Sequence, residues 1–228
     1  MVDFHSHILP GIDDGSKNPD MTRQMLEELK KQGIRTVAAT PHFYANQDRP
    51  EAFLQRRENA VRQLASLPEG LPQVIVGAEV AYFDGISHSD ILDKLQLGDS
   101  GLVLIEMPFC PWSGRMVREI CQIRLETGLT PVLAHVDRYR RQLKGYMEEL
   151  LDCGVLFQCN ADAFLSFFPR RWALKLLEQG AIHFLGSDAH NLTTRPPRLQ
   201  EAFDVIRKQL GDDALYLLHL SAKNQLSL

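Results

Sequence analysis

No Cys-x-x-Cys pair occurs anywhere in this sequence, although it holds four cysteines, Cys110, Cys121, Cys153 and Cys159. Their irregular spacing excludes a zinc ribbon and a thioredoxin-type redox motif, and it leaves four free thiols of a reducing compartment. None of them stands in the Cys-x₅-Arg loop on which thiol phosphatases depend. Long apolar runs are missing too, since none approaches the ~20 residues needed to span a bilayer. The start, Met1-Val2-Asp3-Phe4-His5, has neither the basic region nor the apolar stretch of a secretory signal. A cytoplasmic protein without membrane insertion is therefore expected. An excess of charge is also lacking. The formal net charge of −4 provides no basic footprint for nucleic acid or for an anionic membrane. Linkers, low-complexity segments and repeats are absent, so one domain over residues 1–228 is expected, with 44% hydrophobic residues to fill its core.

What is present is alternation. Short apolar runs at Val2–Phe4, Thr36–Ala39, Val74–Val76, Leu102–Ile105, Thr130–Ala134, Val155–Gln158 and Ile182–Leu185 lack polar alternation. That pattern predicts parallel strands buried on both faces. Helices are predicted between them. Asn18 and Pro19 open the first, which carries Met21, Met25, Leu26 and Leu29 on one face and stops at Gly33. Others are predicted over Glu51–Ser66, Gly114–Thr127, Tyr146–Asp152, Arg170–Gln179, Pro197–Leu210 and Asp213–Leu220. Seven strand-then-helix units at steps of about thirty residues indicate an α/β barrel. A closed barrel ordinarily has eight units, so this one is expected to be distorted.

The strand ends carry the chemistry. Strand one ends in His5-Ser6-His7, strand two in Thr40-Pro41-His42, strand three in Gly77-Ala78-Glu79, strand four at Glu106, strand five at His135 and strand seven in Ser187-Asp188-Ala189-His190. In a parallel barrel these ends share one rim, where active sites gather. Each motif alone is weak, but so many ionisable groups around one mouth would be costly unless cations neutralised them. Imidazoles and carboxylates without thiolate suit Mn²⁺, Fe²⁺, Co²⁺ or Zn²⁺. The candidate ligands are too many for one ion, so two or three are expected, an arrangement suited to ester or phosphoester hydrolysis.

Taken in order, Asp3-x-His5-x-His7, Asp13-Asp14-Gly15, Thr40-Pro41-His42, Gly77-Ala78-Glu79, Ala134-His135-x-x-Arg138-Tyr139 and Ser187-Asp188-x-His190-Asn191 resemble the polymerase-and-histidinol-phosphatase (PHP) superfamily. The sequence looks most like its bacterial protein-tyrosine-phosphatase branch, linked to capsular and exopolysaccharide synthesis, and Arg195-Pro196-Pro197 adds to that likeness. The resemblance implies a distorted (β/α)₇ TIM-like barrel with a trinuclear, commonly manganese-loaded site. By it, His5, His7 and Asp188 hold a first metal, and Glu79 bridges to a second completed by Glu106 and His135. Asp14, His42 and His190 hold a third, with the neighbouring Asp13 an open alternative to Asp14. Arg138 and Arg195 are the implied phosphate-binding residues, a role that suits the guanidinium fork. The implied reaction is hydrolysis of phosphotyrosine by a hydroxide bridging two metals. The implied partner is a phosphotyrosine protein such as the tyrosine-rich tail of a bacterial tyrosine kinase. Asp137 departs from the family, where glutamate is common, and the segments Phe43–Asn46 and Ser221–Lys223 match it less clearly.

The remaining histidines, His88, His183 and His219, are expected to have no catalytic role. Phe109, Trp112, Phe164, Phe167 and Phe168 are expected to pack in the core or under loops, with a rim aromatic that stacks on a phosphotyrosine ring as the alternative. Three competing readings carry their own discriminants. A small-molecule phosphatase acting on histidinol phosphate would differ in substrate preference. An amidohydrolase-type barrel usually needs a bridging lysine. A non-catalytic binding module would show broken ligands.

Overall fold

Strand β1 (Val2–Ser6) is buried along its whole length, as a strand covered on both faces must be. The computed structural model describes residues 1–228. After β1 follow helix α1 (Pro19–Lys31), strands β2 (Thr36–Ala39) and β3 (His42–Phe43), helix α2 (Pro50–Leu64), strands β4 (Gln73–Val76) and β5 (Glu79–Ala81), and a single turn, α3 (Leu92–Leu95). Strand β6 (Leu102–Glu106) leads to α4 (Gly114–Thr127), β7 (Thr130–Leu133), α5 (Arg140–Leu143) and α6 (Met147–Asp152). The chain ends with β8 (Leu156–Asn160), α7 (Asp162–Leu165), α8 (Phe167–Glu178), β9 (Phe184–Gly186), α9 (Leu199–Leu210) and α10 (Asp212–Gln225).

All strand pairings are parallel, within the orders β1-β2-β4 and β3-β5-β6-β7-β8-β9. The seven expected strands are there, but the second and third are each broken in two. Pro41, which has no N–H for a ladder, separates β2 from β3, and Gly77-Ala78 separates β4 from β5. Each break shifts the upper half of its strand into the second sheet, giving the curled, distorted TIM-like barrel that the motifs imply. Between β1 and the end of β9 the wall closes by Asp188 N–H to His5 C=O (2.8 Å) and His7 N–H to Ala189 C=O (2.9 Å). Gly186 permits this closure, because a Cβ there would sit 2.6 Å from the His5 Cβ.

The barrel's lower half is plugged. Phe4 stacks on Phe184 with ring centroids 3.8 Å apart, within a buried cluster that includes Leu104, Val132 and Ala134. Ala222 and Leu226 of the C-terminal segment cap it from below. A register irregularity in β1 between Asp3 and Ser6 separates Val2 and Phe4, which join this plug, from His5 and His7, which reach the upper rim. A larger apolar core lies between strands and helices. With the bottom filled by hydrocarbon, only the rim is open to polar chemistry.

Several helix limits differ from expectation for identifiable reasons. Helix α8 starts at Phe167 rather than Arg170, since Pro169 falls in its first turn, where the missing N–H costs nothing. Helix α9 starts at Leu199 rather than Pro197, because the Pro197 carbonyl accepts from Gln32 Nε2 (2.8 Å) and the Gln32 Oε1 accepts from the Gln200 N–H (3.2 Å). Helix α10 runs to Gln225, past the expected end at Leu220. Trp112 and Phe164 are buried as expected, whereas Phe109, Phe167 and Phe168 are not, at 60%, 82% and 83% exposed. No helix is long and apolar enough to cross a membrane, and the four cysteines are free thiols.

Candidate metal centre

Glu79, at the start of β5, is the hub of the rim. Its carboxylate is buried, yet it meets four imidazoles: His135 Nε2 lies 2.7 Å from Oε1, and His42 Nδ1, His5 Nε2 and His7 Nε2 lie 3.0, 3.2 and 3.3 Å from Oε2. Around this hub the other groups close in. Glu106 lies 3.6 Å from His135 Nε2. Asp188 Oδ1 is 3.5 Å from His7 Nε2 and 3.8 Å from His5 Nε2. Asp14 Oδ1 is 3.2 Å from His190 Nε2 and 3.6 Å from His42 Nε2. All nine side chains expected as ligands are thus brought to one mouth.

Three of the histidines are aimed by a hydrogen bond on their far nitrogen. His5 Nδ1 donates to Gln158 Oε1 (3.1 Å), His7 Nδ1 to Asp13 Oδ2 (2.7 Å), and His190 Nδ1 to the Asp188 carbonyl (2.9 Å). Each bond leaves the Nε2 lone pair facing inward, which is how proteins orient metal-binding imidazoles. Two aspartates, left open by the sequence, thereby separate in role. Asp13 is committed to His7 and to the backbone N–H groups of Gly15 and His42, at 2.9 and 3.1 Å. Asp14 is 65% exposed, with its oxygen free to face His190 and His42.

The motifs assigned no role to two further features. Strand β8, which ended in no recognised ligand, supplies Gln158 and Asn160. Gln158 Oε1 also accepts the His135 N–H (2.7 Å), and Asn160 Nδ2 donates to Asp188 Oδ2 (2.9 Å). Asp3 fixes the other wall, accepting from the Ser187 N–H (2.7 Å) and Oγ–H (2.6 Å). Buried amides on a strand are the signal that could have revealed them, since such groups need partners. His135 (φ 32°) and Asp188 (φ 51°) also adopt left-handed backbone conformations, rare for residues with a Cβ and concentrated at functional sites.

The charges are strongly coupled. Burial disfavours a protonated His7, but the hydrogen bond to Asp13 and the nearby carboxylate of Glu79 outweigh it and raise its pKa to about 10. Burial likewise opposes ionisation of Asp13, and His7 overrides it, bringing that carboxyl down to about 2. Glu79 is held well below the usual carboxylate range despite burial, by His5 and the surrounding rings. His190 goes the other way, lowered to about 4 by burial and by the neighbouring His7. Glu106 is raised by burial and by the charge on Glu79.

The donor set fits cations. Buried atoms His42 Nδ1, Glu79 Oε2, His135 Nδ1 and His190 Nε2 make no aligned hydrogen bond, even where a charged neighbour stands close, an arrangement unfavourable for a structural polar cluster. Three overlapping sets of ligand atoms, His7/Asp14/His42/His190, His5/His7/Glu79 and His42/Glu79/Glu106, each lie within 4.8 Å of one another. Arg138 and Arg195 stand at the mouth, half-buried. Arg138 Nη2 pairs with Asp188 Oδ2, and Arg195 Nη2 lies 2.8 Å from Asp188 Oδ1. The departure at Asp137 has a local use, for its carboxylate accepts the Asn160 N–H at 2.9 Å.

A protein-family model described as "Capsular polysaccharide synthesis, CpsB/CapC" matches residues 1–227. The tyrosine-protein phosphatase YwqE of Bacillus subtilis is 32% identical over 235 residues, spanning 98% of this chain and 90% of that protein. The tyrosine-protein phosphatase CpsB of Streptococcus pneumoniae is 32% identical, over 92% and 91% of the two chains. A crystal structure from work on YwqE and CpsB, described as "unique metal-dependent tyrosine phosphatases", superposes with a TM-score of 0.86 at 30% identity, covering 100% of this chain and 94% of that one. A histidinol phosphate phosphatase from Lactococcus lactis shares the fold, with a TM-score of 0.59 at 16% identity over 93% of each chain.

Proposed function

This chain belongs to the capsular polysaccharide synthesis family CpsB/CapC, and from that premise we propose how its rim works as a metal-dependent tyrosine-protein phosphatase. The observation that carries the reading is Glu79, a buried carboxylate shared among four imidazoles with one oxygen lacking a hydrogen bond. Residues 1–228 act as one catalytic domain.

His5, His7 and Asp188 would hold one ion, Glu79 would be shared with a second held by Glu106 and His135, and Asp14, His42 and His190 would hold a third. Manganese is the proposed ion, consistent with imidazole and carboxylate donors and no thiolate. When bound, such ions supply a water of lowered pKa and neutralise charge on phosphoryl oxygens. The chain's own residues do the rest. Gln158, Asp13 and the Asp188 carbonyl hold three imidazoles in the tautomer that leaves Nε2 free. Arg138 and Arg195, which stand at the mouth paired with Asp188, would present planar forks to the phosphoryl oxygens and oppose the charge that spreads over them. A tyrosine leaving group has a pKa of about 10, so it departs with less protonation than a serine alkoxide would need.

The proposed substrate is the phosphorylated, tyrosine-rich tail of a bacterial tyrosine kinase. The test compares kcat/KM on phosphotyrosyl peptides carrying such a tail sequence with that on histidinol phosphate. Preference for the peptide supports the reading, and preference for histidinol phosphate contradicts it.

A further inference from the structure

Loops that carry a large exposed apolar side chain usually leave it free to move, and single exposed apolar residues are ordinary. Phe109 is different because its loop is braced. It stands three residues after the candidate ligand Glu106, and its ring is 60% exposed. The backbone on either side is tied down. Trp112 Nε1 donates to the Pro108 carbonyl (3.0 Å), and Gln142 Nε2 donates to the Phe109 carbonyl itself (3.0 Å). The Trp112 carbonyl in turn accepts from Tyr146 Oη at 3.4 Å. A fixed backbone thus holds a phenyl group out at the rim.

Its position relative to the chemistry is equally defined. The Phe109 ring lies 5.2 Å from the ring of Tyr139, and Tyr139 lies 5.3 Å from the ring of His135. Tyr139 is fully buried and directly follows Arg138, the proposed phosphate-binding arginine. Phe109 is therefore the outermost member of an aromatic file that begins at a candidate metal ligand. Stacked or tilted aromatic pairs have centroids 4.5–7 Å apart. One further ring placed against the open face of Phe109 would continue the file outward from Tyr139, the residue that follows Arg138. The exposed pair Phe167 and Phe168 lacks this setting, since these rings contact each other (5.5 Å) on helix α8 beside Arg170, Arg171 and Lys175, away from any candidate ligand.

We infer that Phe109 forms one wall of a slot for the aromatic ring of the substrate, selecting aryl phosphates over aliphatic ones. The inference rests on the phosphotyrosine reading given above. Phosphate would be held by the arginines and the metal centre, and the tyrosine ring by Phe109, so that two separate contacts recognise one side chain. Phe109 is not itself a candidate ligand, so it acts on ring binding and leaves phosphate binding alone.

The test measures inhibition of the metal-loaded enzyme by phenylphosphonate and by methylphosphonate, which share the anionic group and differ in the ring. Phe109→Ala should weaken phenylphosphonate inhibition about tenfold while leaving methylphosphonate unchanged, and Phe109→Trp should restore it. Thermal unfolding of each variant should match the wild type, because the ring is mostly exposed. Equal loss for both probes, or no change for either, would overturn the slot. Wild-type hydrolysis of phosphotyrosyl peptides, measured alongside, separates the two ideas. If the wild type cleaves them and Phe109→Ala is indifferent to the ring, the slot alone fails. If the wild type ignores phosphotyrosine and prefers aliphatic phosphates, the substrate reading fails and the slot with it.

Discussion

At the scale of single residues, Glu79 and the two aspartates of the Asp13-Asp14 pair make distinguishable predictions. Glu79 sits within 3.3 Å of four imidazole nitrogens, so Glu79→Gln should release metal and lower kcat by about a thousandfold, the upper range for losing one preorganised electrostatic contact. Metal analysis with a steady-state assay checks both. Asp13 acts through His7, so Asp13→Asn should weaken metal binding 10–100-fold, as loss of an orienting partner does. Asp14→Asn should instead lower the number of ions bound, since Asp14 faces His190 and His42 directly. Equal effects from the two substitutions would contradict the division of roles. The motifs brought nearly all of these side chains into view, because ligands must stand at strand ends. They could not rank Asp13 against Asp14, because adjacent residues differ only in the direction their side chains take after folding. Gln158 and Asn160 stayed hidden for a related reason. An amide within an apolar strand shows no spacing signature, and its purpose exists only once His5, His135 and Asp188 are beside it.

At the scale of elements, the parallel strands were readable as unbroken apolar runs, and most helices announced their ends by proline or glycine. The breaks in the second and third strands were not readable. Pro41 hints at the first, but whether a strand ends there or resumes in a neighbouring sheet depends on pairing partners far away in sequence. The closure of β1 on β9 is the element-level feature that matters most for the site. Any side chain at Gly186 would press on His5 and on Gln158 Nε2, at 2.6 and 2.8 Å from its Cβ. Gly186→Ala should therefore cost about 1–3 kcal/mol of stability and also loosen metal binding, as overpacked sites do. Urea denaturation and metal titration on the same variant test this. Unchanged stability would mean that the wall between β1 and β9 is more yielding than the close approach implies.

At the scale of the whole molecule, protonation and metal loading are coupled. His7 is raised to about 10, so in the ion-free folded chain it stays protonated well above neutrality. A raised folded pKa gives stability that is complete below the unfolded value of about 6.5 and lost as pH rises toward 10. Metal must displace this proton. Loading between pH 7 and 9 should therefore release protons, and apparent affinity should rise with pH across that window. Thermal melts should show the gap between metal-loaded and chelated protein widening from pH 6 to 9, and a gap that narrows would contradict the sign. Because no thiol takes part, alkylation of the accessible cysteines, Cys110, Cys121 and Cys153, should leave the reaction untouched. The central claim, a metal centre built on Glu79 that hydrolyses phosphotyrosine, meets its most direct test in one titration. Phosphate release from a phosphotyrosyl peptide is followed while Mn²⁺ is returned to chelated protein, with bound metal counted at each step. The account predicts no release without metal and activity that rises with two or three ions bound per chain. Full activity in the chelated protein, or activity saturating with no ion bound, would contradict it.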